Sequence, residues 1–144
     1  MKQISSRFSM AVHILTLIAL MPGECTGDII AGSVDTNPVV IRRIMGMLKK
    51  AGLIEVRAGV GGATLLKEPS AISLLDVYLA VEATDKGRLF HIHNHPNPLC
   101  PVGRTIEVSL HDELAKAQAA MESQLAATTI QLMLEQASDN KSSI

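Results

Sequence analysis

The residues best placed to do chemistry are four cations spaced along one short stretch. From Pro38 to Ala51 the chain reads PVVIRRIMGMLKKA, directly after Thr36 and Asn37. Asn-Pro is a helix start, since an asparagine side chain can cap free amides and proline suits the first helical position. At about 100° per residue, Val40, Ile41, Ile44, Met47, Leu48 and Ala51 fall on one arc. Val39, Arg42, Arg43, Gly46, Lys49 and Lys50 fall on the opposite one. The first arc suits a core and the second a polyanion. The major groove of duplex DNA accepts one helix, and an arginine fork can bond the O6 and N7 of guanine there. Arg42 and Arg43, in the first half of the helix, are therefore candidate base readers, with Val39 beside them. Lys49 and Lys50, toward its end, are candidate phosphate contacts. The same four charges would also suit an ordinary solvated helix face.

Three further groups invite a chemical reading. Arg57 precedes the glycine-rich turn Ala58-Gly59-Val60-Gly61-Gly62. A basic side chain beside such a turn can enter the minor groove or lie along phosphates, because glycines such as Gly61 permit close backbone approach; a bare hairpin turn would use the same glycines. Lys2 and Arg7, with Ser5 and Ser6 between them, could add phosphate contacts or simply begin an exposed helix. His91, His93 and His95 alternate in a segment that leads to Cys100. Imidazoles and a thiolate are ligands for zinc or another transition metal, but the spacing matches no closed zinc motif, which favours packing and hydrogen bonding beneath the dimerisation helix over metal binding. Cys100 is also a candidate redox sensor, because a helix N-terminus favours the thiolate. Cys25 reads as a small packing residue.

The elements that must hold these groups follow from periodicity. Apolar residues from Ile4 to Leu20 recur with helical spacing, and Pro22-Gly23 ends that helix. A shorter helix is expected from Thr26 through Ala31, with Gly32 to Asp35 as the turn before the cationic helix. Leu53 to Arg57 and Ala63 to Leu66 form a hairpin. Ser73-Leu74-Leu75-Asp76 is a capping box opening a helix through Val81. Thr84 to Pro101, with Gly87 and three prolines, is an irregular connection. Beyond it Val102, Ile106, Leu110, Leu114, Ala117, Met121 and Leu125 step by three or four. That helix, about 36 Å long, exceeds what a small domain covers, so its stripe calls for a partner helix. A last short helix spans Ile130 to Glu135. The expected organisation is a DNA-binding domain over 1–82, a connection over 83–101, dimerisation helices over 102–136 and a disordered tail over 137–144. The fold class is mainly α with a small β-hairpin wing: a winged helix-turn-helix followed by a long C-terminal dimerisation helix.

Composition agrees. The 144 residues are 47% apolar but only 2% aromatic, which favours a helical core of aliphatic side chains. The net charge of -1 conceals an asymmetry. Residues 1–67 carry eight Lys/Arg against four Asp/Glu, a net of +4, and residues 68–144 carry five against ten, a net of −5. A basic half joined to an acidic half fits one surface that meets DNA and another that meets protein or solvent. The apolar run from Ala11 to Met21 is broken by His13 and Thr16 and reads as neither a signal peptide nor a membrane span. Two cysteines are too few for a disulfide framework, so a cytoplasmic setting is expected.

The run Asn37 to Ile44, then Leu48 to Ile54, then Arg57 and Gly59 to Gly62, resembles the Rrf-two family of bacterial winged helix-turn-helix transcriptional regulators. The resemblance extends through Ser73 to Val81 and to Cys100-Pro101-Val102-Gly103, and so covers nearly the whole chain. It implies a homodimer, usually a repressor, with two winged heads on a palindromic operator in double-stranded DNA. Cluster-binding members carry three closely spaced cysteines before the dimerisation helix, where this chain has only Cys100. Thiolates are the usual holders of iron-sulfur clusters, so no cluster and no other cofactor is expected, apart from a metal ion at the histidines. The non-cluster branch, similar to the cysteine-metabolism repressor, is the better analogy, with redox state, a small molecule or a protein as co-regulator and no membrane partner. Two alternatives stand beside this reading: a metal-dependent enzyme using His91, His93 and His95, and a winged-helix protein interaction module that does not bind DNA.

Overall fold

The computed structural model describes residues 6–57, 61–81, 97 and 99–141. Its elements, in order, are α1 (Arg7–Leu20), α2 (Gly27–Val34), α3 (Pro38–Lys50), β1 (Ile54–Val56), β2 (Ala63–Leu65), a 3-10 turn (Pro69–Ala71), α4 (Leu74–Ala80), α5 (Pro101–Ala126) and α6 (Ile130–Lys141). Mainly helical, with one antiparallel hairpin, this is the order of a winged helix-turn-helix followed by a long helix.

Local sequence explains where the elements start. Thr26 caps α2 by accepting from the Ile29 amide at 3.3 Å. Asn37 caps α3 by accepting from Val39 at 2.8 Å, with Pro38 at the first helical position. Ser73 and Asp76 form the full capping box of α4, each side chain accepting from the other's amide at 3.0 Å. The hairpin pairs Ile54 with Leu65, Glu55 with Thr64 and Val56 with Ala63. One further pairing lies outside it: Cys25 bridges Ala63, so the return strand is held from both sides.

The core is aliphatic. Ile14, Leu15 and Ile18 of α1, Ile30 of α2, Ile41, Ile44 and Leu48 of α3, Ile54 of β1 and Val77 of α4 form one cluster with Ile72 and Ile130. No polar or charged residue is buried among the described residues. Phe8 meets Tyr78 edge to face, ring centres 6.1 Å apart. Fully burying an isoleucine or leucine contributes about 1.5–3 kcal/mol, so these side chains suffice to orient the short helices against one another.

Three boundaries differ from the sequence expectation. Gly32 to Val34, expected as a turn, continue α2; the helix stops at Asp35, whose φ of 58° is left-handed. Weak helix formers resembled a turn there, but burial of Ile30 carries the helix through them. The segment from 137 onward, expected as a disordered tail, is helical to Lys141. Each added residue contributes one backbone hydrogen bond once a helix is nucleated, so polar residues extend it without any apolar pattern. Finally, α6 packs on α1 and the 3-10 turn, with Ile130 fully buried. It joins the N-terminal core, whereas the sequence grouped it with the dimerisation helices.

Candidate nucleic-acid interface

The core side of α3 is buried through Ile41, Ile44, Met45 and Leu48, with Val40 and Met47 half-buried. Met45, placed on neither arc by the sequence, is buried, and Ala51, assigned to the core arc, is exposed at the helix end. The other side is open. Arg42, Arg43, Gly46, Lys49 and Lys50 are exposed, and Val39 is 54% exposed. Lys116 pairs with Asp112 at 3.0 Å and with Glu113 at 3.5 Å on α5, whereas Arg42, Arg43, Lys49 and Lys50 are in no ion pair among the described residues. The four α3 cations therefore keep their charge uncompensated and concentrated on one face.

The wing stands beside this helix, since β1 packs against α3. Arg57 is exposed just after β1, and its amide donates to the Gly62 carbonyl at 3.5 Å. Ala58 to Val60 lie outside the described residues. Gly61 and Gly62 both have positive φ, 71° and 91°. A Cβ on Gly61 would stand 3.4 Å from Thr26 Cγ2, and one on Gly62 would collide with the Gly23 carbonyl. The wing base thus lies directly on the corner that starts α2. Backbone bonds lock it there, from Ala63 N–H to Cys25 O at 3.0 Å and from Gly23 N–H to Ala63 O at 3.3 Å. This anchor had no sequence signal beyond the glycines, because pairing of Cys25 with a strand 38 residues on is a tertiary event. Cys25 itself is buried, with its thiol donating to the Leu17 carbonyl at 3.5 Å. Burial, and secondarily the charge of Glu24, push its pKa up. Arg7 is half-buried at the start of α1, and Lys2 lies outside the described residues.

The expected dimerisation stripe divides in two. Val102, Ile106, Leu110 and Ala117 are exposed, whereas Leu114, Met121 and Leu125 are half-buried. At about 100° per residue the exposed four span some 80° of the helix surface. No residue of α5 is buried. Among the described residues, no helix is long and apolar enough to cross a membrane.

Cys100 is half-buried and is the N-cap of α5, without a side-chain capping bond. His91, His93 and His95 lie outside the described residues, and no metal-holding cluster occurs among those described. The donor set does not fit an iron-sulfur cluster: the chain has two cysteines, and one of them is the buried, raised-pKa Cys25 of the wing anchor. Cluster iron is held mainly by thiolates, and Cys100 alone does not supply them.

Similarity to known proteins bears on this arrangement. The Rrf2 family model, described as an iron-dependent transcriptional regulator, matches residues 4–136. YwnA of Bacillus subtilis (strain 168), which carries the name of an HTH-type transcriptional regulator, is 48% identical over 127 residues, 88% of this chain and 93% of that one. A crystal structure described as that of a DNA-binding protein is 44% identical, with a TM-score of 0.72 over 88% of this chain and 97% of its own. CymR, the global cysteine regulator of B. subtilis, shares the fold at 20% identity, with a TM-score of 0.68 over 94% and 98% of the two chains. The family and its curated relative are regulators rather than enzymes, which removes the metal-dependent enzyme from consideration. The chain belongs to the Rrf2 family of transcriptional regulators.

Proposed function

We propose that the protein is a cytoplasmic homodimeric repressor that binds a palindromic operator. In this reading α3 enters the major groove. Arg42 and Arg43 read base edges, Val39 contacts a base edge from the first turn, and Lys49 and Lys50 hold phosphates. Arg57 reaches the neighbouring minor groove from the wing, Gly61 lets the wing backbone approach, and Lys2 and Arg7 add phosphate contacts. The observation that carries the reading is the division of α3: an apolar side buried through Ile41, Ile44, Met45 and Leu48, and opposite it four exposed cations without an ion pair among the described residues.

Dimerisation goes through α5. The exposed line of Val102, Ile106, Leu110 and Ala117 pairs with its counterpart on a second chain, and the half-buried Leu114, Met121 and Leu125 support it from the side of the parent head. A two-fold dimer would place two copies of α3 about one DNA turn, roughly 34 Å, apart. The segment before α5 carries the sensor, with Cys100 as its thiol and His91, His93 and His95 as potential ligands of a metal ion. A small molecule or protein acting on this segment would serve as co-regulator.

The test uses purified protein and duplexes enriched by it from a random-sequence 30-base-pair library. The parent binds the enriched duplex with a steep loss of affinity as salt rises, and Arg42→Ala with Arg43→Ala abolishes the preference for it. Equal binding by parent and double variant removes α3 as the reading helix. Absence of salt-dependent duplex binding favours a protein interaction module instead.

A further inference from the structure

The cationic face of α3 has a glycine at its centre. Arg42 and Arg43 precede Gly46 by four and three residues, and Lys49 and Lys50 follow it by three and four. Those are the four positions adjacent to a given residue on a helix surface. Val39 lies seven residues back, two turns along the same line. Gly46 therefore stands inside a ring of four cations. Ile44 and Leu48, on the buried side, are turned about 160° from it.

Nothing within the described chain requires a glycine there. Gly46 is absent from the positive-φ glycines, so its backbone suits any residue. A Cβ built on it meets no atom within 4 Å, and the position is exposed. In the middle of a helix, glycine weakens the element relative to alanine. Gly62 shows the contrasting case, in which the fold itself forbids a side chain. Gly32 of α2 is also open, but it lies in the last turn of its helix and outside the α3 face.

We propose that Gly46 is the point of closest approach between α3 and duplex DNA, kept free of a side chain so that the helix backbone can come against the duplex surface. The proposal rests on the DNA-binding reading above and deepens it by naming the residue that sets how deeply the helix seats. Four uncompensated cations around bare backbone are complementary to a polyanion. With no Cβ at the centre, the helix axis can sit closer, and side chains of fixed length reach further: Arg42 and Arg43 toward base edges, and Val39 toward apolar base atoms such as the thymine methyl. A side chain at position 46 would act as a spacer that lifts the whole face.

The predicted signature is opposite movement of stability and binding. Gly46→Ala and Gly46→Leu both raise Tm, by roughly 2–5 °C for alanine, because the helix gains propensity and nothing is displaced. Both weaken binding to the enriched duplex, by roughly 5- to 150-fold as expected for overpacking a close contact, with leucine worse than alanine. The slope of affinity against salt stays that of the parent, since no charge is altered. Gly32→Ala, the matched control, leaves duplex binding unchanged. A Gly46→Leu protein that binds as tightly as the parent overturns this inference and leaves the DNA-binding reading intact. A parent that shows no salt-dependent duplex binding overturns both. Weakened binding accompanied by a lowered Tm also overturns it, because the loss would then arise in the fold and not at the duplex.

Discussion

Replacing Lys49 and Lys50 together by alanine should flatten the salt dependence of DNA binding and keep sequence preference, whereas replacing Arg42 or Arg43 should erode the preference. The magnitudes follow from exposure and pairing. All four side chains are exposed and unpaired among the described residues, so each is free to engage DNA and none is needed by the fold. Two lost phosphate contacts in each subunit, four in the proposed dimer, lower the slope of log affinity against log salt by about 3.6. Between 50 and 200 mM salt the parent would then lose about 150-fold more affinity than the lysine variant. An arginine bidentate on guanine carries about 1–3 kcal/mol of discrimination, roughly 5- to 150-fold against the wrong base. The assay is fluorescence anisotropy with the enriched duplex and a shuffled one at three salt concentrations, alongside thermal melts. Exposed substitutions of this kind stay within about 0.5 kcal/mol of the parent stability, so Tm should hold. A lysine variant with the parent's slope refutes the phosphate assignment, and arginine variants that still prefer the enriched duplex refute base reading.

Gly62→Ala forces a side chain into a positive-φ position against the Gly23 carbonyl; a cost of about 2–4 kcal/mol and a Tm lower by roughly 5–15 °C are expected in calorimetry. Cys25 has its pKa raised above 9.0 by burial, so the folded state holds this proton more tightly than the unfolded one. The stability it contributes is full below pH 9.0 and is lost as pH rises through the folded value; denaturant melts between pH 8 and 11 should show a component of decline that Cys25→Ala lacks. Ile106→Glu combined with Leu110→Glu introduces charge into the exposed stripe of α5, and sedimentation should report a monomer with its helical circular dichroism retained. A variant that remains dimeric at micromolar concentration places the interface elsewhere.

The legible parts of this molecule are those whose causes are local. Asn37-Pro38 and Ser73 with Asp76 act within one helical turn, and each starts its helix as its chemistry dictates. The polarity of α3 also follows from a 3.6-residue period, apart from Met45 and Ala51, which lie at the edge and end of the arc. What stayed hidden depends on distant partners. Cys25 gives no sign that its backbone pairs with Ala63, and Ser73 none that it bridges Thr129 at the corner between α5 and α6. The stop of α2 was hidden for another reason: the left-handed residue is Asp35 rather than the usual glycine, an aspartate being among the few side chains that tolerate this conformation. The stripe of α5 was visible as a stripe, but its division into exposed and half-buried parts was not, because partial burial depends on what packs against the helix.

In the proposed binding mode, recognition from two elements requires the wing to be held in place beside α3, and the anchor on the corner before α2 ties it there. Moving the wing away from α2 would break the Ala63–Cys25 and Gly23–Ala63 backbone bonds and separate Gly61 from Thr26, the cap of α2. The long helix is attached differently. It has no buried residue, and at its far end the corner is tied to the head through Leu74 N–H to Thr128 O at 2.8 Å and Ile130 N–H to Ile72 O at 2.9 Å. Cys100 lies at the opposite end, separated from that corner by 26 residues of helix, about 39 Å. A signal at Cys100 is therefore expected to reset how two heads are spaced across α5, not how Arg57 stands relative to Arg42 inside one head. Alkylation of Cys100 should then weaken binding to a duplex with two half-sites and leave binding to a single half-site unchanged, because only the former senses spacing. Equal weakening on both duplexes would place the coupling within the head and remove α5 as the transmitting element.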